Sequence, residues 1–127
     1  MSELVDDPEI SDDEILYRRI APSQIKYDES GSPYASGGAF RTKQMSVHLA
    51  SRTSPTKVLE NFPNHSLAAF TAGLARSLEC IVASDKEDST HALVCRKDDP
   101  SKSLTKSQAY QISEKARPLV VFRPPVE

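Results

Sequence analysis

Proline punctuation constrains this chain more than any other feature of it. The apolar stretch Ile15–Ile20 runs up against Pro22, and the stretch Val58–Phe62 is entered at Pro55 and stopped at Pro63. A polar stretch ends at Pro118, and Pro124 and Pro125 follow the last apolar run. A proline ring fixes φ and removes a backbone donor, so each one closes a helix or confines a strand to an edge or an end. Apart from the segments between Pro33 and Pro55 and between Pro63 and Pro100, the pieces left between them are strand-sized or a few helical turns long. None approaches the roughly 20 apolar residues that cross a bilayer, so no membrane role is expected. At 127 residues the whole suits one domain around a single core.

Periodicity assigns the pieces to strand or helix. Residues Ile15–Ile20 read as a strand, whose period of two sends Ile15, Tyr17 and Arg19 to one face and Leu16, Arg18 and Ile20 to the other. The adjacent arginines therefore cannot clamp one ligand jointly. One is expected toward solvent or the acidic residues just before it, the other toward a buried acceptor or a ligand. Residues 23–44 collect Gly31, Pro33, Gly37, Gly38 and several serines and read as a long loop. Met45–Ala50 alternates Met45, Val47 and Leu49 against Ser46, His48 and Ala50, giving a second strand. Ser54 as cap and Pro55 at the first helical position open a helix with Val58, Leu59 and Phe62 as its apolar stripe.

Beyond Pro63, Thr71 and Gly73 divide the next segment into strand Leu67–Phe70, short helix Ala72–Leu78 and strand Glu79–Ser84; one helix over Ser66–Leu78 is the competing reading. The stretch "ECIVASDKEDSTHALVCRK" then forms a hairpin about Asp85–Thr90. A polar helix follows, with a thin stripe of Leu104, Ala109, Ile112 and Ala116, and Leu119–Phe122 makes a fully apolar strand central to the sheet. The expected architecture is α+β: a mixed or mainly antiparallel sheet of about five strands with two or three helices.

Charge is distributed unevenly. Residues 1–14 hold seven of the 18 acids and no Lys or Arg, leaving 11 acids against all 16 bases in the remainder; the two parts carry −7 and +5 and add to the net −2. So acidic a segment buries too little apolar surface to offset its ordering entropy. The expected organisation is a disordered acidic tail over 1–14, one domain over 15–123 and a short tail over 124–127. The alternative is that the acidic segment folds back over a basic surface. It also lacks the basic and apolar regions of a secretory leader, so a cytoplasmic protein is expected. The two cysteines, in no CxxC pair, agree with a reducing compartment. The positive charge of the body is scattered and does not interleave with Tyr and Phe as in stacking platforms, which argues against nucleic-acid binding.

In the hairpin, pairing Ser84 with His91 sets Cys80 opposite Cys95 and gathers both thiols and His91 on one face. Three potential ligands on a flat sheet face lack the chelating spacing of a zinc site, so two reduced core thiols and no metal are expected.

No GxSxG elbow, GxxxxGK[ST] loop, GxGxxG turn or local Cys-His signature is present, so no motif assigns a catalytic residue or a cofactor. The better candidate is a polar face assembled from two strands. Arg18 or Arg19 would come from the first and Ser46 and His48 from the second, with Gly37, Gly38 and Phe40 from the loop between them. The rigid guanidinium fork suits phosphate or carboxylate. The order "LYRRI", "GGAFR" and "MSVHLAS" over residues 15–52 resembles the opening of RES-type and related ADP-ribosyltransferase-like folds. That resemblance implies contact of a first-strand arginine and the following loop with NAD, at Arg18 or Arg19, Phe40, Ser46 and His48; His48 stands where those families often carry a tyrosine. Over residues 15–95 the pattern that continues through "AR.L" and "HALV" is also similar to small uncharacterised bacterial proteins, which implies no activity.

The expected function is a small non-catalytic binding or protein-interaction module with a protein partner. Its alternatives are an NAD-directed or other nucleotide-processing enzyme using the Arg18/Arg19, Ser46 and His48 face, and a weak nucleic-acid binder.

Overall fold

The computed structural model describes residues 4–124. In chain order they form β1 (Ile15–Ile20), β2 (Ile25–Tyr27), β3 (Pro33–Ala35), β4 (Met45–Leu49), α1 (Pro55–Val58), β5 (Ser66–Thr71), α2 (Ala72–Ser77), β6 (Cys80–Ser84), β7 (His91–Arg96) and α3 (Lys106–Lys115). Five strands pair antiparallel in the order β5-β1-β4-β7-β6, with β4 at the centre, and β2 and β3 pair separately. The architecture is the α+β one expected.

Local signals account for most element ends. Ser54 accepts the Lys57 N–H and Thr71 accepts the Leu74 N–H, each satisfying a donor at the start of its helix. Thr105 and Gln108 cap α3 reciprocally. The helix α1 is one turn and does not reach Phe62; the chain continues as turns, with the Phe62 N–H on the Leu59 carbonyl at 2.9 Å. So short a helix stands only on its packing, and Val58 and Leu59 are its buried contacts.

The sheet has two unlike faces. On one, Leu16, Ile20, Met45, Val47, Leu49, Phe70, Val82 and Val94 join Phe40, Leu104 and Ile112 in the main core, beneath a 3₁₀ turn at Gly37–Phe40 and α3. Phe40 and Phe70 meet edge to face, ring centroids 5.9 Å apart. On the other, Val58, Leu59 and Leu67, with Tyr17 and Val121, cover only the β5–β1 half. The β4–β7 half of that face carries Ser46, His48 and His91, with Leu93 and Cys95 beside them.

The structure departs from other expectations as well. The long loop 23–44 contains the β2–β3 hairpin and the Gly37–Phe40 turn. Leu119–Phe122 is not central: it makes a single antiparallel bridge, Leu67 with Val121, on the outer edge of β5, and Val120 stays 45% exposed. The inner edge of β5 is already paired with β1, and Pro118 and Pro124 leave few residues free to pair.

The hairpin register differs by one residue. Cys80 lies opposite Arg96 and Ile81 opposite Cys95, so the thiols face opposite sides of the sheet and no Cys/Cys/His group forms. The slip follows from the loop. The Asp85 N–H bonds the His91 carbonyl at 3.3 Å, adding a rung, while Asp88 folds the loop by accepting the Thr90 N–H at 2.9 Å.

Composition pointed to a disordered acidic tail over 1–14. Residues 1–3 lie outside the described residues, as do 125–127 of the short C-terminal tail. From Asp6 onward the acidic segment is placed by specific bonds. The Asp7 N–H reaches the Val82 carbonyl at 2.8 Å and Asp6 Oδ1 takes the Val82 N–H at 2.9 Å, so the two residues act as a strand would beside the edge of β6. Arg76 binds Asp6 at 3.0 Å, Asp12 at 2.7 Å and the Asp7 carbonyl at 2.8 Å. The Gly73 N–H donates to the Asp12 carbonyl at 2.9 Å and the Ala72 N–H to that of Glu14 at 3.0 Å. Net charge gave no warning of this, because Asp6, Asp12 and the Asp7 carbonyl are held by specific donors rather than by an averaged field. Arg76, and neither arginine of β1, is the base that receives these acids.

Candidate polar face on the central strands

Alternation along β4 turns Ser46 and His48 away from the main core. His48 pairs with Tyr17 of β1 on one side and with His91 of β7 on the other. One pleat along the same face, the antiparallel order brings Arg19 alongside Ser46, and Ser46 pairs with Leu93. The question left by the paired arginines is thereby answered: Arg19 shares the face of Ser46 and His48.

Arg18 goes the other way. Its Nε donates to the Ala39 carbonyl at 3.2 Å and its Nη1 to the Ser46 carbonyl at 2.9 Å, fastening the Gly37–Phe40 turn to the centre of the sheet. Burial, and then the neighbouring Arg19, lower its proton affinity. Gly37, Gly38 and Phe40 belong to that side as well. Phe40 is fully buried in the core, and the two glycines line a cavity of about 670 Å³ with Arg41, Lys106 and Tyr110. The seven candidate residues therefore divide into Arg19, Ser46 and His48 on one side of the sheet and Arg18, Gly37, Gly38 and Phe40 on the other.

Arg19 is held in place from two directions. Its Nη1 donates to the Val58 carbonyl at 3.1 Å, and its guanidinium carbon lies 3.9 Å over the Phe62 ring. His65 meets the same ring edge to face at 5.1 Å, with its Nδ1 buried and, among the described residues, without a hydrogen-bond partner. The field here is positive. Burial, then Arg19, then His91 push His48 down to about 4, and burial followed by Arg19 lowers His65.

The residues that sequence reasoning left out are Asp85 and His91 in this role. His91 lies 5.4 Å from His48 between ring centroids, its Nδ1 is 2.8 Å from Asp85 Oδ2, and its Nε2 meets the Ser46 hydroxyl. Asp85 is held low first by the Glu87 backbone N–H and then by His91. With the Asp85 carboxylate accepting from Nδ1–H, Nε2 of an unprotonated ring is the acceptor left for the Ser46 hydroxyl. The signal was in the hairpin: with Asp85 rather than Ser84 opposite His91, the carboxylate and the ring become neighbours.

No family model matches the chain, and no curated protein and no solved structure matches it.

Proposed function

We propose that the chain is a small binding module whose working surface is the polar face of β1, β4 and β7, and that its ligand carries a phosphate or carboxylate. The observation behind this reading is that Arg19 lies over Phe62 beside His65 and on the same face as His48, with His91 next to His48. Such a cluster strains its own charge: His48 gives up its proton readily because burial, then Arg19 and then His91 oppose it. An anion set between Arg19 and His48 relieves that repulsion and gains charge-assisted hydrogen bonds. The guanidinium has five donors, of which Val58 takes one, so a fork remains for an incoming oxyanion.

The nucleotide-directed alternative uses the same face without Arg18, which spends its donors on two backbone carbonyls. NAD is accordingly one ligand to be tested. The experiment is a titration of the histidine ring signals with NAD, AMP, inorganic phosphate and acetate. Binding is expected to move the His48 signals and raise its titration midpoint above about 4. If all four leave the ring signals unmoved at millimolar concentration, the proposal is wrong.

A further inference from the structure

We infer that Ser46 is a nucleophile toward carboxylic esters, with His91 as its general base and Asp85 as the residue that positions His91. The inference rests on the binding role of this face and goes beyond it. Three observations carry it. The hydrogen bonds run in the order such chemistry needs, from the Ser46 hydroxyl to His91 Nε2 and from His91 Nδ1 to Asp85 Oδ2 at 2.8 Å. The β6–β7 hairpin sets Asp85 beside His91, and Ser46, 45 positions from His91 in the chain, meets that pair only through the pairing of β4 with β7. Finally, the group is half-buried, with Ser46 intermediate in exposure and 19% of the His91 side chain and 30% of the Asp85 side chain exposed.

The step balances with water as the only co-reactant. Ser46 Oγ attacks the acyl carbon, and its proton passes to His91 Nε2. The Nδ1–H bond to Asp85 then holds the imidazolium formed. Collapse of the tetrahedral adduct breaks the ester bond, and the leaving alkoxide takes the proton from Nε2. Water repeats the sequence on the acyl-serine, releasing the acid and restoring Ser46. Negative charge on the tetrahedral oxygen develops in the positive field of Arg19, which the register sets alongside Ser46. The substrate class that fits is a small ester whose acyl part bears an anionic group.

The test treats the full chain with a fluorophosphonate and locates the adduct by mass spectrometry, alongside turnover of p-nitrophenyl acetate. The expected result is one adduct, on Ser46. Ser46→Ala removes it, and His91→Gln slows both labelling and turnover by about 10²–10⁴-fold. Imidazole ¹⁵N shifts read the positioning role: the native ring is expected with Nδ1 protonated and Nε2 bare, and Asp85→Asn loses that preference. The ¹⁵N reading needs no variant to fold. No adduct under excess reagent, an adduct that survives in Ser46→Ala, or a native ring protonated at Nε2 instead overturns the inference. If labelling fails while phosphate or nucleotide still moves the His48 signals, the face binds without catalysing. If labelling succeeds while no anion moves them, the nucleophile stands and the binding role falls.

Discussion

Arg18 and Arg19 leave adjacent positions of β1 for opposite faces of the sheet, and each ends on backbone carbonyls, Arg18 on those of Ala39 and Ser46 and Arg19 on that of Val58. One is a fastener of the core and the other the charged group of the polar face. Their substitutions should therefore separate.

Arg18→Met leaves two inward-facing carbonyls without their donor, and a cost of about 3 kcal/mol in urea unfolding is expected. Arg19→Met loses mainly the contact over Phe62, about 1 kcal/mol, and raises the His48 midpoint, which Arg18→Met does far less. Equal effects of the two on His48 would contradict the placement of Arg19.

Stability should fall on acidification in two stages. His48 has a folded value near 4 against an ordinary 6.5, so the unfolded chain takes up its proton first. The contribution is complete above about 6.5 and is lost as pH falls toward 4. His65, also lowered, acts in the same direction. Asp85 and Asp88 are lowered from 3.8, so their contributions are present above that value and disappear below it as each is protonated. In thermal melts between pH 7 and 4.5, His48→Gln should show a shallower decline than the parent, with a residual slope from His65.

Two glycines should respond differently to alanine. A Cβ at Gly73 would come within 3.0 Å of the Asp12 carbonyl oxygen and Cβ, displacing the acidic segment, and a cost of about 1–3 kcal/mol is expected. At Gly38 the nearest atom would be Ser36 Oγ at 3.8 Å, an ordinary contact, and the change should stay within about 0.5 kcal/mol. Chemical denaturation of both variants decides this.

Releasing Arg76 should unseat residues 6–12. Arg76→Met removes partners of Asp6, Asp12 and the Asp7 carbonyl together. Hydrogen exchange at Val82, whose N–H is held by Asp6 Oδ1, should accelerate at least tenfold, while exchange at Val47 in the central strand should change little. Unchanged protection at Val82 would show that the segment holds without Arg76.

The two thiols should be inert in the native state. Both are buried, and burial pushes each up to about 11, so little thiolate is present at neutral pH. They also face opposite sides of the sheet. A thiol reagent should react with both only at the rate of unfolding, and mild oxidants should yield no Cys80–Cys95 disulfide.

Much of the fold was legible locally. The strand at Ile15–Ile20, the alternation over Met45–Leu49, the caps Ser54 and Thr71, and the strand-helix-strand division around Gly73 were all readable from the sequence. Failures arose where local and distant demands diverge. Leu119–Phe122 is apolar enough for a central strand, but composition could not show that β5 offers only its outer edge. The loop Asp85–Thr90 could close a hairpin at Ser84 or at Asp85, and Asx turns chose the latter. One residue of register separated a grouping of Cys80, Cys95 and His91 from one of Asp85, His91 and Ser46.

By itself the sequence determined most of the strands and helices, among them Ile15–Ile20, Met45–Leu49 and the helix starts after Ser54 and Thr71, and that Arg18 and Arg19 must part, because backbone sterics, capping and the period of two act within a few residues. Only the tertiary structure decided which arginine meets Ser46 and His48, which carboxylate meets His91 and where the acidic residues rest. Those outcomes depend on partners such as Ser46 and His91, 45 positions apart in the chain, whose meeting is set by strand order and register rather than by any local preference.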